Sequence, residues 1–139
     1  MDTKGKILIV DDDPDFVRTT QLILKTGGYD TTVAEDARKG LEKIKESRPD
    51  LVILDIMMES IFEGFSFLST LRTAPDFASF KFTPVLMVSS VKNDTGSRFM
   101  FDDEGSMGEI PQPDDFMDKP LKPNALLGKV ASLIRKTAG

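Results

Sequence analysis

Three uninterrupted apolar runs, Ile7–Val10, Leu51–Leu54 and Val85–Val88, constrain this 139-residue chain more than any other feature. None alternates apolar with polar residues, and each is short and bounded by turn formers or charge. Runs of this kind mark strands buried on both faces, as in a parallel sheet. Helical patterns lie between them. Asp13-Pro14 reads as an N-cap with proline in the first turn, followed by Phe16, Thr20, Ile23 and Leu24 at helical spacing and by Gly27-Gly28 as a stop. Tyr29–Ala34 reads as a second strand. Residues 35–46 place Ala37, Leu41 and Ile44 on one face of an amphipathic helix, and residues 65–72 place Phe65, Leu68 and Leu71 inward. Residues 115–118 form a short fifth strand, and a closing helix over 124–135 turns Leu126, Leu127, Val130 and Ile134 inward. Strands alternating with helices imply βαβ units, right-handed crossovers and an α/β fold: a doubly wound, five-stranded parallel sheet covered on both faces.

One stretch breaks the alternation. Residues 91–114 contain Gly96, Gly105, Gly108, Pro111 and Pro113, a density that argues against a regular helix. A long loop with an atypical or missing fourth helix is expected there, pinned to the body by Phe99, Met100 and Phe101, with the acids at 102–104 facing solvent.

Composition narrows the chemistry. The chain has no cysteine and no histidine. Thiolate catalysis, disulfides, imidazole bases and Cys or His metal ligands are therefore excluded, and any bound metal must be held by oxygen. A formal net charge of −5 disfavours direct binding to nucleic-acid phosphates. Met1–Lys6 is polar and the first apolar run is too short for a signal peptide or a membrane span, so a cytoplasmic protein making no membrane contact is expected. The length fits a single domain over residues 1–139.

The polar residues that terminate the strands carry the function. The first strand ends in Asp11-Asp12, the third in Asp55, the fourth in Ser89 and the fifth at Lys119. In a parallel sheet these ends share one rim, where ligands bind. Three carboxylates brought together repel and invite a hard divalent cation, Mg²⁺ or Mn²⁺. A carboxylate beside such an ion, with a lysine and a hydroxyl opposite, is suited to accept a phosphoryl group.

The segments Ile7–Phe16 (ILIVDDDPDF), Pro49–Met58 (PDLVILDIMM), Pro84–Ser89 (PVLMVS) and Asp118–Pro120 (DKP) together resemble the receiver domain of two-component response regulators, and the resemblance covers nearly the whole chain. It implies a flavodoxin-like strand order 2-1-3-4-5. It implies Asp55 as phosphoacceptor and Asp12 as a direct Mg²⁺ ligand, with Asp11 acting through water or from behind. The main-chain carbonyl of Met57 would complete the protein ligands. Ser89 would meet a phosphoryl oxygen, Lys119 would pair with Asp55 or its phosphate, Lys119-Pro120 would be cis, and Phe116 would be the switch aromatic. The donor would be a histidine kinase or phosphotransfer protein, and the output a change in binding to a downstream partner.

The chain departs from the family pattern in places. Glu59 stands where proline usually follows the acceptor, adding an acid near the metal, and the loop to Gly64 carries one extra residue. Phe116 lacks a hydroxyl, so a switch would act by packing. Met57 and Val91 flank the acceptor and are both apolar; neither orients a water, so a long-lived phosphoryl state is expected. Two other readings use the same residues. A haloacid-dehalogenase-type phosphatase needs an acid two residues after its nucleophile, where this chain has Met57. A pseudo-receiver that binds partners without phosphate would not need every acceptor, metal, hydroxyl and lysine position to be filled, as they are here.

Overall fold

The computed structural model describes residues 4–55, 61–90 and 113–138. Strand β1 (Gly5–Val10) leads into helix α1 (Pro14–Thr26). The Asp13 carboxylate caps that helix, accepting the N–H groups of Asp15 (3.0 Å) and Phe16 (3.4 Å). The helix ends at Gly27, and Gly28 follows at φ +92°, a conformation that only glycine adopts without cost. Strand β2 (Tyr29–Ala34) precedes α2 (Ala37–Ser47), capped by Asp36 through the Lys39 N–H at 2.8 Å. Strand β3 (Leu51–Asp55), helix α3 (Ile61–Thr73), a 3₁₀ segment (Pro75–Phe80), β4 (Val85–Ser90), β5 (Asp115–Lys119) and α4 (Pro123–Ala138) complete the described elements.

All strand pairs are parallel, in the order β2-β1-β3-β4-β5. Successive residues of each strand face opposite sides of the sheet. Ile7 and Ile9 join the core beneath α1 and α4, whereas Leu8 and Val10 join the core beneath α2, α3 and the 3₁₀ segment. Both faces are apolar, so β1, β3 and β4 read as continuous hydrophobic runs. Helix α2 lies close on β1: a Cβ at Gly40 would stand 3.0 Å from both Val10 and Phe67, so the glycine sets the spacing of this layer.

The five strands lie where the sequence predicts them, four with extended ends: β1 begins at Gly5, β3 runs on to Asp55, β4 to Ser90 and β5 to Lys119. Helix α3 starts at Ile61 rather than Phe65 and runs through Gly64; burial of that glycine outweighs its low helix propensity. The 3₁₀ segment was not anticipated. It buries Phe77 and Phe80, whose rings lie beneath the cations of Lys45 (4.7 Å) and Arg48 (5.2 Å) from the end of α2. In α4, Leu126, Val130 and Leu133 are buried, while Leu127 and Ile134 are half-buried, so the inward stripe is centred slightly differently from the sequence expectation. Of the anticipated loop, residues 91–112 lie outside the described residues, and with them the missing fourth helix, the pinning aromatics and the acids at 102–104. No helix among the described residues is long and apolar enough to cross a membrane.

Candidate functional site at the carboxyl rim of the sheet

Strand register assembles the site. Val10 pairs with Leu54, so the next residues, Asp11 and Asp55, emerge side by side. The Asp11 N–H bonds to the Ala34 carbonyl at 3.0 Å, which continues the ladder one step beyond β1 and fixes the direction of Asp11. Asp55 pairs with Val88, so Ser89 lies one step further along the neighbouring strand, and Ser90 pairs with Lys119. The Lys119-Pro120 peptide is cis.

One oxygen from each of Asp11, Asp12 and Asp55 lies within 4.8 Å of the others. Asp11, Asp55 and Ser89 are buried; Asp12 is exposed. Lys119 Nζ sits 3.1 Å from Asp11 Oδ2 and 3.5 Å from Asp55 Oδ2, and its side chain is 18% exposed. The Asp11 carboxylate divides its tasks. Oδ1 accepts the Asp13 N–H at 2.9 Å, which ties the turn after β1 to the cap of α1. Oδ2 is fully buried and forms an ion pair with the Lys119 ammonium at 3.1 Å, without a well-aligned hydrogen bond. Burial pushes the Asp11 carboxyl up to about 6, and the Asp55 charge adds to this; the Asp13 N–H and Lys119 oppose it. Lys119 is held above the ordinary lysine value: burial pulls it down, but the charges of Asp55 and Asp11 outweigh that.

These residues fit a hard cation. The three carboxylate oxygens lie within 4.8 Å of one another, close enough for an ion such as Mg²⁺ to be held among them directly or through water. The donors are all oxygen, as such an ion requires. The unbonded Asp11 Oδ2 is a buried polar atom of the kind that an ion or water satisfies.

Asp11, Asp12, Asp55, Ser89 and Lys119 therefore converge on the rim that the sequence predicts. Phe116 lies on β5, half-buried, packed against the core beneath α2 and α3. Met57, Glu59 and Val91 lie outside the described residues. Two features escaped the sequence reading. Phe16, read as a core-facing helix residue, also presents its ring to Lys119, with Nζ 4.2 Å from the ring centroid. Asp114, assigned to the loop, belongs to a clasp at the opposite end of the sheet. Neither has a local signal, because each partner is distant in sequence.

Residues 7–131 match the family model of the response regulator receiver domain. The chain belongs to that family. Among curated relatives, this receiver is 32% identical over 137 residues to the DNA-binding response regulator MtrA of Mycolicibacterium smegmatis, covering 98% of the chain and 54% of the relative. It is 30% identical over 125 residues to protein PilG of Pseudomonas aeruginosa, covering 90% and 84%. The receiver thus spans about half the length of MtrA. Among solved structures it is similar to the chemotaxis response regulator CheY4 of Vibrio cholerae, at TM-score 0.73 and 27% identity, with 94% and 99% of the two chains covered. It is also similar to the signal receiver domain of a signal transduction histidine kinase from Syntrophus aciditrophicus, at TM-score 0.75 and 28% identity, with 95% and 91% covered.

Proposed function

We propose that this receiver is a phosphorylation-dependent switch that takes a phosphoryl group onto Asp55 from the phosphohistidine of a histidine kinase or phosphotransfer protein. The observation that carries the reading is the convergence of Asp55 with two further carboxylates and the ammonium of Lys119 at one buried rim. In the transfer, a carboxylate oxygen of Asp55 attacks phosphorus, the P–N bond of the donor breaks, and the imidazole leaves carrying a proton. These 139 residues contain no histidine, so the donor histidine lies outside them.

Asp12 and Asp55, with the main-chain carbonyl of Met57, would hold Mg²⁺ (or Mn²⁺), with Asp11 reaching it through water or from behind. When bound, the ion neutralises the acidic cluster and the charge that develops on the transferring oxygens. Lys119 supplies the second positive charge, beside the acceptor oxygen. Ser89, buried one step beyond the acceptor on β4, donates its hydroxyl to a phosphoryl oxygen. Phe116, on the neighbouring strand, would respond to phosphorylation by changing its packing, which would alter the surface offered to a downstream partner. Glu59 adds a negative charge four positions after the acceptor in sequence, and the apolar Met57 and Val91 would leave the aspartyl phosphate slow to hydrolyse. The chain acts as a single receiver unit in the cytoplasm, as a switch that assists its own phosphotransfer and dephosphorylation rather than as an enzyme turning over a free substrate. It makes no direct nucleic-acid contact through its own acidic surface.

Intact-mass spectrometry after incubation with Mg²⁺ and acetyl phosphate tests the reading. One added phosphoryl group on the wild type and none on Asp55→Asn is the expected result, with an adduct that decays slowly in Mg²⁺. No adduct from acetyl phosphate or from phosphorylated histidine kinases would overturn it in favour of a pseudo-receiver.

A further inference from the structure

The geometry points to Phe16 as a positioning residue that holds the Lys119 ammonium at the acceptor Asp55, through the face of its ring. This rests on the phosphoacceptor reading above. Lysine carries its charge on a flexible four-carbon stem, so its ammonium goes wherever its neighbours hold it. At this rim two carboxylates compete for it, and Asp11 Oδ2 is the nearer, at 3.1 Å against 3.5 Å for Asp55 Oδ2. The Phe16 ring closes a third side, with its centroid 4.2 Å from Nζ. That lies well inside the range in which an aromatic face attracts a cation.

A ring suits this position better than any polar group would. A further carboxylate would add to the repulsion that already burdens Asp11 and Asp55. A hydroxyl or amide would offer the metal or the phosphoryl group a competing ligand. The phenyl face attracts the cation, cannot titrate, cannot ligate a hard ion, and covers one side of the ammonium from water. Its placement is built into α1: Asp13 accepts the Phe16 N–H, so the cap that starts the helix also aims this side chain from its first turn. The rest of the ring packs against the core beneath α1 and α4.

Phe16→Leu keeps an apolar side chain in that core and removes the ring face; Phe16→Tyr keeps the face. Two measurements on the full chain test the inference. In metal-free protein, the ring current should move the Lys119 ε-methylene protons upfield in the wild type and in Phe16→Tyr, and not in Phe16→Leu. In Mg²⁺ and acetyl phosphate, the initial rate of phosphorylation should fall about 2- to 30-fold in Phe16→Leu, the range expected from a lost cation–π contact, and recover in Phe16→Tyr. The same Leu change made on a Lys119→Met background should alter the residual rate by less than about 2-fold, because no cation remains to be placed. An unshifted Lys119 resonance in the wild type overturns the placement of the ammonium on the ring. A Leu variant as fast as a wild type that is itself phosphorylated overturns the positioning role alone. A wild type that takes no phosphoryl group overturns the underlying reading, and the role of the ring with it.

Discussion

The two ends of the sheet each join a cation to aspartate, and they do it in opposite ways. At the amino edge, Arg72 Nη1 donates to the carbonyls of Lys81 (2.8 Å) and Thr83 (2.7 Å), and Nη2 donates to Asp114 Oδ2 (2.7 Å). The same Asp114 oxygen accepts the Val85 N–H at 2.7 Å, and the Asp114 N–H returns to the Val85 carbonyl at 2.9 Å. One guanidinium meets one carboxylate there, and the bonds named above join both to neighbouring backbone groups. At the carboxyl rim one ammonium serves two contacting carboxylates with a third beside them, and a buried oxygen of Asp11 accepts no hydrogen bond. The clasp pins the starts of β4 and β5 to the end of α3. Among the described residues, the rim gathers three carboxylates around one ammonium, an excess of negative charge that a bound cation would offset.

The comparison can be broken in four ways. The largest effect is expected at the rim. Lys119→Met should slow phosphorylation of Asp55 by about 100-fold, the scale of losing one electrostatic partner of a developing charge; a rate within a few-fold of wild type, by intact mass, would remove Lys119 from the chemistry. Next, Arg72→Met should cost about 1 kcal/mol of stability in urea unfolding, because it strips the exposed Asp114 and the carbonyls of Lys81 and Thr83 of their donor. Its phosphorylation rate should stay near wild type, and a large drop would show that the two ends are coupled.

Similar in size and opposite in sign, Asp11→Asn should stabilise the metal-free protein by about 1 kcal/mol at neutral pH while weakening Mg²⁺ binding, since it removes a buried charge but keeps an acceptor for the Asp13 N–H. The smallest effect is in the pH dependence. Asp11 titrates near 6 in the fold against 3.8 for an ordinary aspartate, so between those values the folded chain holds more protons than the unfolded chain. Its contribution is therefore fully present below about 4 and is lost as pH rises through about 6. The difference in unfolding free energy between wild type and Asp11→Asn in EDTA should widen over that window, and a flat difference would show that Asp11 is not burdened by burial. Lys119, raised, has the complementary behaviour: its contribution holds below 10.5 and is lost at more alkaline pH.

The sheet and the rim were both legible in the sequence for one reason. A strand buried on both faces must be apolar throughout, so the first polar residue after each run marks the point where the chain leaves the core. Asp11, Asp55 and Ser89 could be placed on one edge by that rule alone, and Lys119 followed from the fifth strand. What escaped reading depends on contacts without a local period. The 3₁₀ segment has only Phe77 and Phe80 to bury and two prolines around it, so it resembles a connection until α2 supplies Lys45 and Arg48 above its rings. Gly64 resembles a helix breaker until burial offsets its cost. Asp114 resembles a loop acid until Arg72, 42 positions earlier, is folded against it. Phe16 was correctly read as facing inward, but the cation above its ring arrives from β5.

The pleat of β3 has a consequence for how such a chain tolerates changes in length. Its alternate residues feed two different cores, Val52 and Leu54 on one side and Leu51 and Ile53 on the other, and its last residue is Asp55. Deleting a single residue within Leu51–Leu54 would exchange the two sets and at the same time draw the acceptor back from the edge by one step, about 3.3 Å. Insertions and deletions should therefore be accommodated in the connections between elements and be ruinous inside this strand, where packing and the address of the reactive carboxylate are written in the same five residues.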